Sequence, residues 1–331
     1  MKPYIGIRTS FLARAGICGL LLLYTGSSGI LSLSGQVVDS SWRPKDALVP
    51  QTSIQVDADL VQIPVTVVDR EDRLVTGLDK ESFRLYEDKV QQVITHFARE
   101  STPASVAFVL DTSGSMSGKL RKAREAISVL LDKSDANDEF LLVEFNERAD
   151  MVLDISNDPI EVRRQLGLLR ATGRTALLDA VHRSIYEIRR AHNPRKALVI
   201  VSDGGDNCSR RTISEVKNLV RESDVQIYAL GIFDPADVRF QSREELGGPA
   251  LLKAIAKQSG GRFFEISNLA DLPEIAERIA DSLRTRYVLG YSPTNARRDG
   301  KYHKVDVKVL QAKGGQKLQA SWRRGYLAIA R

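Results

Sequence analysis

The hydrophobic positions of this chain follow two different periods. Near the start of the folded region, Val61, Ile63, Val65 and Val67 alternate with polar or smaller residues. This period of two is typical of a half-buried β-strand. Short β-like runs continue on both sides of a turn at Glu87-Asp88-Lys89. The pattern predicts a segment of antiparallel strands from residue 54 to residue 100.

After Ala104 the pattern becomes that of an α/β unit. Short apolar runs alternate with longer segments that have helical spacing. Strands are predicted at residues 105–110, 140–145, 197–201, 225–232 and 262–266, and helices at residues 119–131, 160–169, 176–190, 213–221, 251–258 and 272–286. This alternation predicts a doubly wound, mostly parallel sheet with helices on both faces.

From residue 287 the chain returns to a β pattern, in which Val305, Val307 and Val309 occupy every second position. We therefore expect residues 54–100 and 287–331 to form one small antiparallel β domain. The α/β domain, residues 101–286, would then be inserted between its two parts. Such insertions are tolerated because the ends of a domain commonly lie close together.

Composition and charge exclude several classes of protein. The 331 residues can form two ordinary domains, and 43% hydrophobic with 27% charged residues indicates a globular chain. The net charge is +6, but basic and acidic residues are interleaved, so we expect no nucleic-acid partner. Two cysteines, Cys18 and Cys208, exclude a disulfide framework and a Cys-rich zinc site. The scattered histidines form no paired motif, and no His-based metal site is expected.

The first 35 residues have the order of a signal peptide. Lys2, Arg8 and Arg14 precede an apolar stretch at residues 19–24, and small residues follow at 25–29. The alternative is an uncleaved N-terminal anchor, whose length approaches the roughly 17–25 residues of a membrane-spanning helix. Either interpretation predicts an exported protein that is periplasmic, extracellular or associated with the cell envelope. Residues 36–53 are polar with two prolines, and we interpret them as a linker.

Three loops carry oxygen ligands at positions where a doubly wound sheet binds ligands. Asp111-Thr112-Ser113-Gly114-Ser115 follows the first α/β strand, and Ser202-Asp203-Gly204-Gly205-Asp206 follows the strand at 197–201. Between them, residues 172–177 form a loop that opens a helix. The carboxyl ends of strands beside a topological switch point lie next to each other. Carboxylates and hydroxyls without imidazole or thiolate suit Mg²⁺, Ca²⁺ or Mn²⁺ rather than Zn²⁺ or Cu²⁺.

In these loops the sequence resembles the von Willebrand factor A (VWA) family. The metal-ion-dependent adhesion site (MIDAS) of that family has the motif Asp-x-Ser-x-Ser, a later Thr and a later Asp. The matching positions here are Asp111, Ser113, Ser115, Thr175 and Asp203. The resemblance covers residues 105–286, and runs at 65–69, 83–88 and 289–291 are similar to those of the family's bacterial exported subgroup.

The resemblance implies a Rossmann-like VWA fold and a protein-binding function in adhesion or assembly. A divalent cation, Mg²⁺ or alternatively Ca²⁺ or Mn²⁺, would keep one coordination position open for an Asp or Glu of a partner protein. Arg174, Arg210 and Arg211 lie in or near the same loops and would assist that partner, although exposed arginines are commonly just solvated. Cys208, which lies close to the site in the sequence, would have no role in it.

Each motif also has a simpler interpretation. Ser115 or Ser117 could cap a helix that begins near Gly118, and Asp203-Gly204 could be a plain turn. These interpretations leave the convergence of five oxygen ligands unexplained.

Enzymatic functions fit the sequence poorly, and we expect no catalytic residues. Asp111-Thr112-Ser113 has Ser where an aspartic protease has Gly, and Leu120 stands where a phosphate-binding loop needs Ser or Thr. No general base accompanies the predicted cation. The alternatives to an adhesion module are an envelope scaffold or assembly factor that acts on a larger complex, and a metal-dependent hydrolase.

Overall fold

The computed structural model describes residues 60–233, 247–294, 299–310 and 317–328. All of them belong to one compact unit, Val56–Arg331. The predicted signal peptide or anchor at residues 1–35 and the predicted linker at 36–53 lie outside the described residues. In the part of the chain that the structure describes, no helix is long and apolar enough to cross a membrane.

Strands and helices are numbered here along the described residues. The strands are β1 (Val61–Val68), β2 (Phe83–Glu87), β3 (Val90–Gln92), β4 (His96–Ser101), β5 (Ala104–Asp111), β6 (Glu139–Phe145), β7 (Ala149–Ser156), β8 (Arg195–Ser202), β9 (Val225–Ile232), β10 (Phe263–Ile266), β11 (Thr285–Tyr291), β12 (Tyr302–Val309), β13 (Gln319–Trp322) and β14 (Gly325–Leu327). The helices are α1 (Leu120–Asp132), α2 (Pro159–Leu168), α3 (Leu177–Ile188), α4 (Ile213–Glu222), α5 (Gly248–Ser259) and α6 (Leu272–Arg284).

The central sheet has six strands in the order β10-β9-β8-β5-β6-β7. The five strands from β10 to β6 are parallel, and β7 pairs antiparallel with β6. Helices α1, α2 and α6 contribute to the hydrophobic core on one face, while α3, α4 and α5 contribute to the core on the other. Every residue of β5 is buried because both faces of this central strand are covered. The predicted doubly wound, mostly parallel sheet is confirmed.

One strand of this sheet, β7, was missed by the sequence pattern. It lies at the edge of the sheet, and Leu153 is the single buried residue within it. Its pairing with β6 is also irregular between Phe140 and Val143. The adjacent residues Val152 and Leu153 both pack into one core, whereas Ala149 and Ile155 pack into the other, so the simple alternation of faces is interrupted within this strand.

The flanking strands form two antiparallel sheets, in the orders β13-β1-β11-β4 and β14-β12-β2-β3. Each sheet joins strands from before and after the α/β unit, since Val65 pairs with Tyr287 and Leu85 pairs with Val307. One hydrophobic core contains residues of both sheets: Ile63, Val65, Val67, Phe83, Leu85, Tyr287, Leu289, Tyr291, Val305, Val307 and Trp322. The predicted architecture, an α/β unit between β segments that pair with each other, is therefore confirmed. The domain limits themselves stay a prediction.

Candidate metal centre

Asp111 is the last residue of β5 and is completely buried. Its Oδ1 atom accepts a hydrogen bond from the Ser113 backbone N–H at 2.9 Å. Its Oδ2 atom accepts one from Ser202 Oγ at 2.5 Å. Ser202 ends the neighbouring strand β8, so the Asp111 carboxylate joins the carboxyl ends of two adjacent central strands.

The two serine hydroxyls of the first loop lie close together. Ser113 Oγ and Ser115 Oγ are 3.2 Å apart, and Ser113 is buried while Ser115 is exposed. A single 3-10 turn, Gly114–Met116, separates this loop from α1. The residue that caps α1 is Lys119, and it makes no side-chain capping hydrogen bond. Neither Ser115 nor Ser117 therefore caps α1, and the simpler interpretation of these serines is wrong.

The loop with Thr175 is hydrogen-bonded to both of its neighbours. Gly114 N–H donates to the Gly173 carbonyl at 3.0 Å, which ties this loop to the first loop. The Thr175 backbone N–H donates to Asn207 Oδ1 at 2.9 Å, which ties it to the third loop. Thr175 is itself buried, two residues before the first residue of α3. The backbone thus brings the three predicted loops to one edge of the sheet.

Asp203 follows β8 directly and is buried. Its Oδ1 atom has no hydrogen-bond partner among the described residues, whereas its Oδ2 atom lies 3.5 Å from Lys119 Nζ. The next residue, Gly204, has φ of +85°, and a Cβ atom there would lie 2.8 Å from the Gly248 carbonyl carbon. A plain turn at Asp203-Gly204 would not require glycine at a position that packs against the start of α5.

The two buried carboxylates raise the free energy of the metal-free site. Burial raises the pKa of Asp111 well above its usual value, and the charge of Asp203 raises it further. Such a pair is stabilised by a cation between or beside the carboxylates. Lys119 supplies part of that positive charge, and a metal ion would supply more.

The residues present fit a hard divalent cation. The donor groups are carboxylate and hydroxyl oxygens, which Mg²⁺, Ca²⁺ and Mn²⁺ prefer. A buried carboxylate oxygen without a partner, Asp203 Oδ1, is normally satisfied by an ion or water. Ser115 is exposed, so the same group of side chains reaches the protein surface.

Two residues of the site were missed by sequence reasoning. Ser202 orients Asp111, and its Oγ atom also accepts a hydrogen bond from Gly204 N–H at 2.8 Å. Lys119 lies beside Asp203 although 84 residues separate them in the chain. The position of Ser202, directly before a predicted ligand at a strand end, could have indicated its role, whereas nothing in the sequence marks Lys119.

The three predicted partner-binding arginines are exposed near these loops. The Arg174 guanidinium donates a hydrogen bond to the Asn207 carbonyl, which braces the second loop against the third. The backbone N–H groups of Arg210 and Arg211 donate to the Asp179 carboxylate at 2.9–3.1 Å. Their role in binding a partner stays a prediction.

Cys208 lies half-buried beside the Thr175 loop, where its N–H donates to the Thr175 carbonyl at 3.2 Å. Burial raises the pKa of its thiol. A reactive cysteine needs a lowered pKa, because the thiolate is the nucleophile. The environment of Cys208 therefore opposes a redox role.

Comparison with known proteins agrees with this architecture. The family model of the von Willebrand factor type A domain matches residues 105–278. Inter-alpha-trypsin inhibitor heavy chain H2 from Sus scrofa is 30% identical over an alignment of 166 residues, and the match covers 44% of this chain and 18% of that protein. Heavy chain H4 from Homo sapiens is 27% identical over an alignment of 224 residues, and the match covers 61% of this chain and 23% of that protein. The chain thus spans less than a quarter of the length of these relatives.

Among solved structures, the von Willebrand factor type A protein from Catenulispora acidiphila has a TM-score of 0.47 at 16% identity. The alignment covers 82% of this chain and 75% of that one. Proximal thread matrix protein 1 from the mussel byssus, solved with a zinc-occupied MIDAS motif, has a TM-score of 0.46 at 18% identity, with 58% and 49% of the two chains covered. Because the family model matches more than half of the 331 residues, this chain belongs to the von Willebrand factor type A domain family.

Proposed function

We propose that this protein is an exported, metal-ion-dependent binding module that presents a divalent cation, Mg²⁺ in the first place, to an acidic group of a partner protein. The observation that carries the proposal is the buried pair Asp111 and Asp203, with one carboxylate oxygen unpartnered among the described residues and with the buried Ser113 and the exposed Ser115 in the same group of loops. Membership of a family of interaction modules supports it.

The residues that would hold the cation are Asp111, Ser113, Ser115, Thr175 and Asp203, directly or through water. Mg²⁺ requires near-octahedral oxygen coordination and usually retains water ligands. A position held by such a water on the exposed side, near Ser115, is available to an incoming carboxylate. This explains why a partner would need an Asp or Glu.

Lys119 gives the site a defined metal-free state. Its ammonium group lies 3.5 Å from Asp203 Oδ2, and both side chains are buried. The ion pair offsets part of the repulsion between Asp111 and Asp203, so the loops keep their arrangement before the metal binds. The cation then competes with Lys119 for the charge of Asp203.

The exposed Arg174, Arg210 and Arg211 lie in or near the same loops and add positive charge there. Such groups raise the association rate of an acidic partner more than they raise its affinity. The basic, apolar and small order of the first 35 residues supports export. An exported module would be accessible to a periplasmic, extracellular or envelope partner.

Capture experiments test the proposal. The immobilised protein is exposed to an exported protein fraction with Mg²⁺ or with chelator, beside Asp203→Ala and the control Glu265→Ala, whose side chain is exposed. We expect Mg²⁺-dependent capture by the wild type and by Glu265→Ala, and none by Asp203→Ala. The same captured proteins in all samples would contradict the metal-dependent function.

A further inference from the structure

A second group of metal-ligating side chains lies in the antiparallel sheets, outside the three loops. Glu87 ends β2, Asp88 begins the turn that follows, and His303 lies near the start of β12. The pairing of Val305 with Glu87 brings these distant parts of the chain together. One ligand atom from each of the three residues lies within 4.8 Å of the others.

Glu87 is buried, and one of its two oxygens is held in place by two tyrosines. Its Oε2 atom accepts a hydrogen bond from Tyr291 OH at 2.5 Å and another from Tyr326 OH at 3.0 Å. These bonds fix the plane of the carboxylate. Its Oε1 atom therefore faces His303 Nδ1, at a distance of 3.7 Å.

Asp88 and His303 are held in the same way. Asp88 Oδ1 accepts a hydrogen bond from Lys304 N–H at 3.0 Å, which leaves Oδ2 at 2.8 Å from His303 Nδ1. On the other side of the ring, His303 Nε2 lies 3.3 Å from Asp299 Oδ1. Each of the three residues thus has one atom held by an outer partner and a second atom within 4.8 Å of those of the other two.

The backbone at this turn supports the same geometry. Asp88 and Lys89 form a two-residue connection between β2 and β3, with φ of +46° and +73°. Such turns favour Asn-Gly or Asp-Gly, and Lys in the left-handed region is strained. Asp88 N–H donates to the Lys304 carbonyl at 2.9 Å, which holds the turn against β12. Strained residues of this kind concentrate at functional sites.

We propose that Glu87, Asp88 and His303 form a second metal site, for a borderline transition metal of the Zn²⁺ type. One imidazole with two carboxylates is a mixed ligand set that suits Zn²⁺, in contrast to the all-oxygen loops. Tetrahedral zinc with bonds of 2.0–2.2 Å separates its ligand atoms by about 3.4 Å. This value lies between the distances of 2.8 Å and 3.7 Å from His303 Nδ1 to the Asp88 and Glu87 oxygens. The carboxylate that holds the far side of the imidazole is the outer partner that metal-bound histidines commonly have.

The charges and the open space near the group agree with a bound cation. Three carboxylates, those of Glu87, Asp88 and Asp299, surround the single imidazole of His303. A cavity of about 290 Å³ opens beside them and is lined by the same residues together with Thr294 and Lys301. It provides an entry path and room for a water as the fourth ligand. A metal ion bound here would link the turn after β2 to β12, and so connect the β segments that precede and follow the α/β unit.

The test uses the full chain with Zn²⁺ in the presence of a large excess of Mg²⁺, which competes for the all-oxygen loops. X-ray absorption at the zinc edge distinguishes the two sites. The three loops contain no histidine, so imidazole scattering from the bound zinc indicates a histidine ligand outside these loops. We expect imidazole scattering and one tightly bound Zn²⁺ in the wild type. Zn²⁺ is also expected to raise the melting temperature.

The variants are His303→Gln and Asp88→Asn, with circular dichroism as the check on folding. Asp88→Asn retains the acceptor for Lys304 N–H, and its exposed side chain makes misfolding a minor concern. The control is His192→Gln, whose imidazole contacts one carboxylate, that of Glu139, at 2.7 Å. We expect both site variants to lose at least tenfold in Zn²⁺ affinity and the control to keep it. Imidazole scattering that persists in His303→Gln, or equal affinity in all four proteins, would overturn the proposal.

Discussion

The Oγ atom of Ser202 donates a 2.5 Å hydrogen bond to Oδ2 of Asp111, and this bond joins the ends of the two central strands that carry the proposed metal ligands. Asp203 is the next residue along the chain, so the position of one carboxylate is coupled to that of the other. The proposed cation would bind where the backbone and side chains have already brought two carboxylates together.

Ser202→Ala tests this coupling. The substitution removes the donor to Asp111 and the acceptor for Gly204 N–H, and both groups are buried. We expect the free energy of unfolding to fall by about 1–3 kcal/mol. Mg²⁺ affinity should fall by roughly tenfold or more, as for other residues that orient metal ligands. Denaturant unfolding and Mg²⁺ titration measure the two effects, and unchanged affinity would show that Ser202 does not orient Asp111.

Gly204→Ala tests the close approach of the third loop to α5. Alanine at φ of +85° costs about 1–3 kcal/mol by itself, and its Cβ atom would press against the Gly248 backbone. We expect destabilisation and a displaced Asp203 with weakened Mg²⁺ binding. The matched control is Gly167→Ala within α2, where a Cβ atom meets nothing within 4 Å and helix propensity favours alanine. Equal stability of the two variants would refute the steric argument.

Glu139 provides a prediction about pH. Burial raises the pKa of this carboxyl, but hydrogen bonds from Ser105, His192 and Asn193 outweigh burial and lower it to about 2. A lowered pKa means that the folded state binds the proton less readily than the unfolded state. The stabilisation is therefore complete above the unfolded value of 4.5 and is lost as the pH falls from there to about 2.

Glu139→Gln should be less stable than the wild type near neutral pH, and the difference should shrink as the pH falls below 4.5. Urea unfolding at a series of pH values measures this. Parallel stability curves for the two proteins across that range would show that the Glu139 interactions contribute nothing that depends on its charge.

Truncation tests the pairing of the two flanks. Removal of residues 285–331 takes away the partners of β1 and β2, namely β11, β13 and β12. The truncation then exposes the apolar side chains of Ile63, Val65 and Leu85 to solvent, and exposed strand edges promote aggregation. We expect an aggregating fragment by size-exclusion chromatography, whereas the α/β unit at residues 101–286 should remain folded alone. A soluble, protease-resistant truncated chain would argue against shared β-sheets.

The parts of the fold that the sequence predicted are those with a strong local period. The helix expected at residues 119–131 is α1, Leu120–Asp132, because its apolar residues recur at helical spacing on a buried face. The helix expected at 272–286 ends earlier, at Arg284, since the strand β11 begins at Thr285. Strand β7 was missed because its pairing with β6 is irregular and the adjacent Val152 and Leu153 pack into the same core, which interrupts the alternation of faces.

The two proposed metal sites also differ in how far the sequence predicted them. The three oxygen-rich loops were predicted because their ligands follow strands or precede a helix, so chain order places them at one edge of the sheet. The group of Glu87, Asp88 and His303 was not predicted, and the sequence led us to expect no His-based metal site. His303 meets Asp88 across 215 residues through the pairing of β2 with β12, which no local pattern encodes.

Thermal melting of the wild type, Asp203→Ala and Glu265→Ala, each with Mg²⁺ or with chelator, tests the central claim most directly. Mg²⁺ that binds the folded state alone stabilises it by RT ln(1 + [Mg²⁺]/Kd), which is about 2.7 kcal/mol at a hundredfold excess over Kd. We predict this shift for the wild type and Glu265→Ala and none for Asp203→Ala. In chelator, Asp203→Ala loses the repulsion with Asp111 and also the buried ion pair with Lys119, so the Mg²⁺-dependent shift and not the absolute melting temperature is the test. Equal Mg²⁺ shifts in all three proteins would contradict the proposed metal centre.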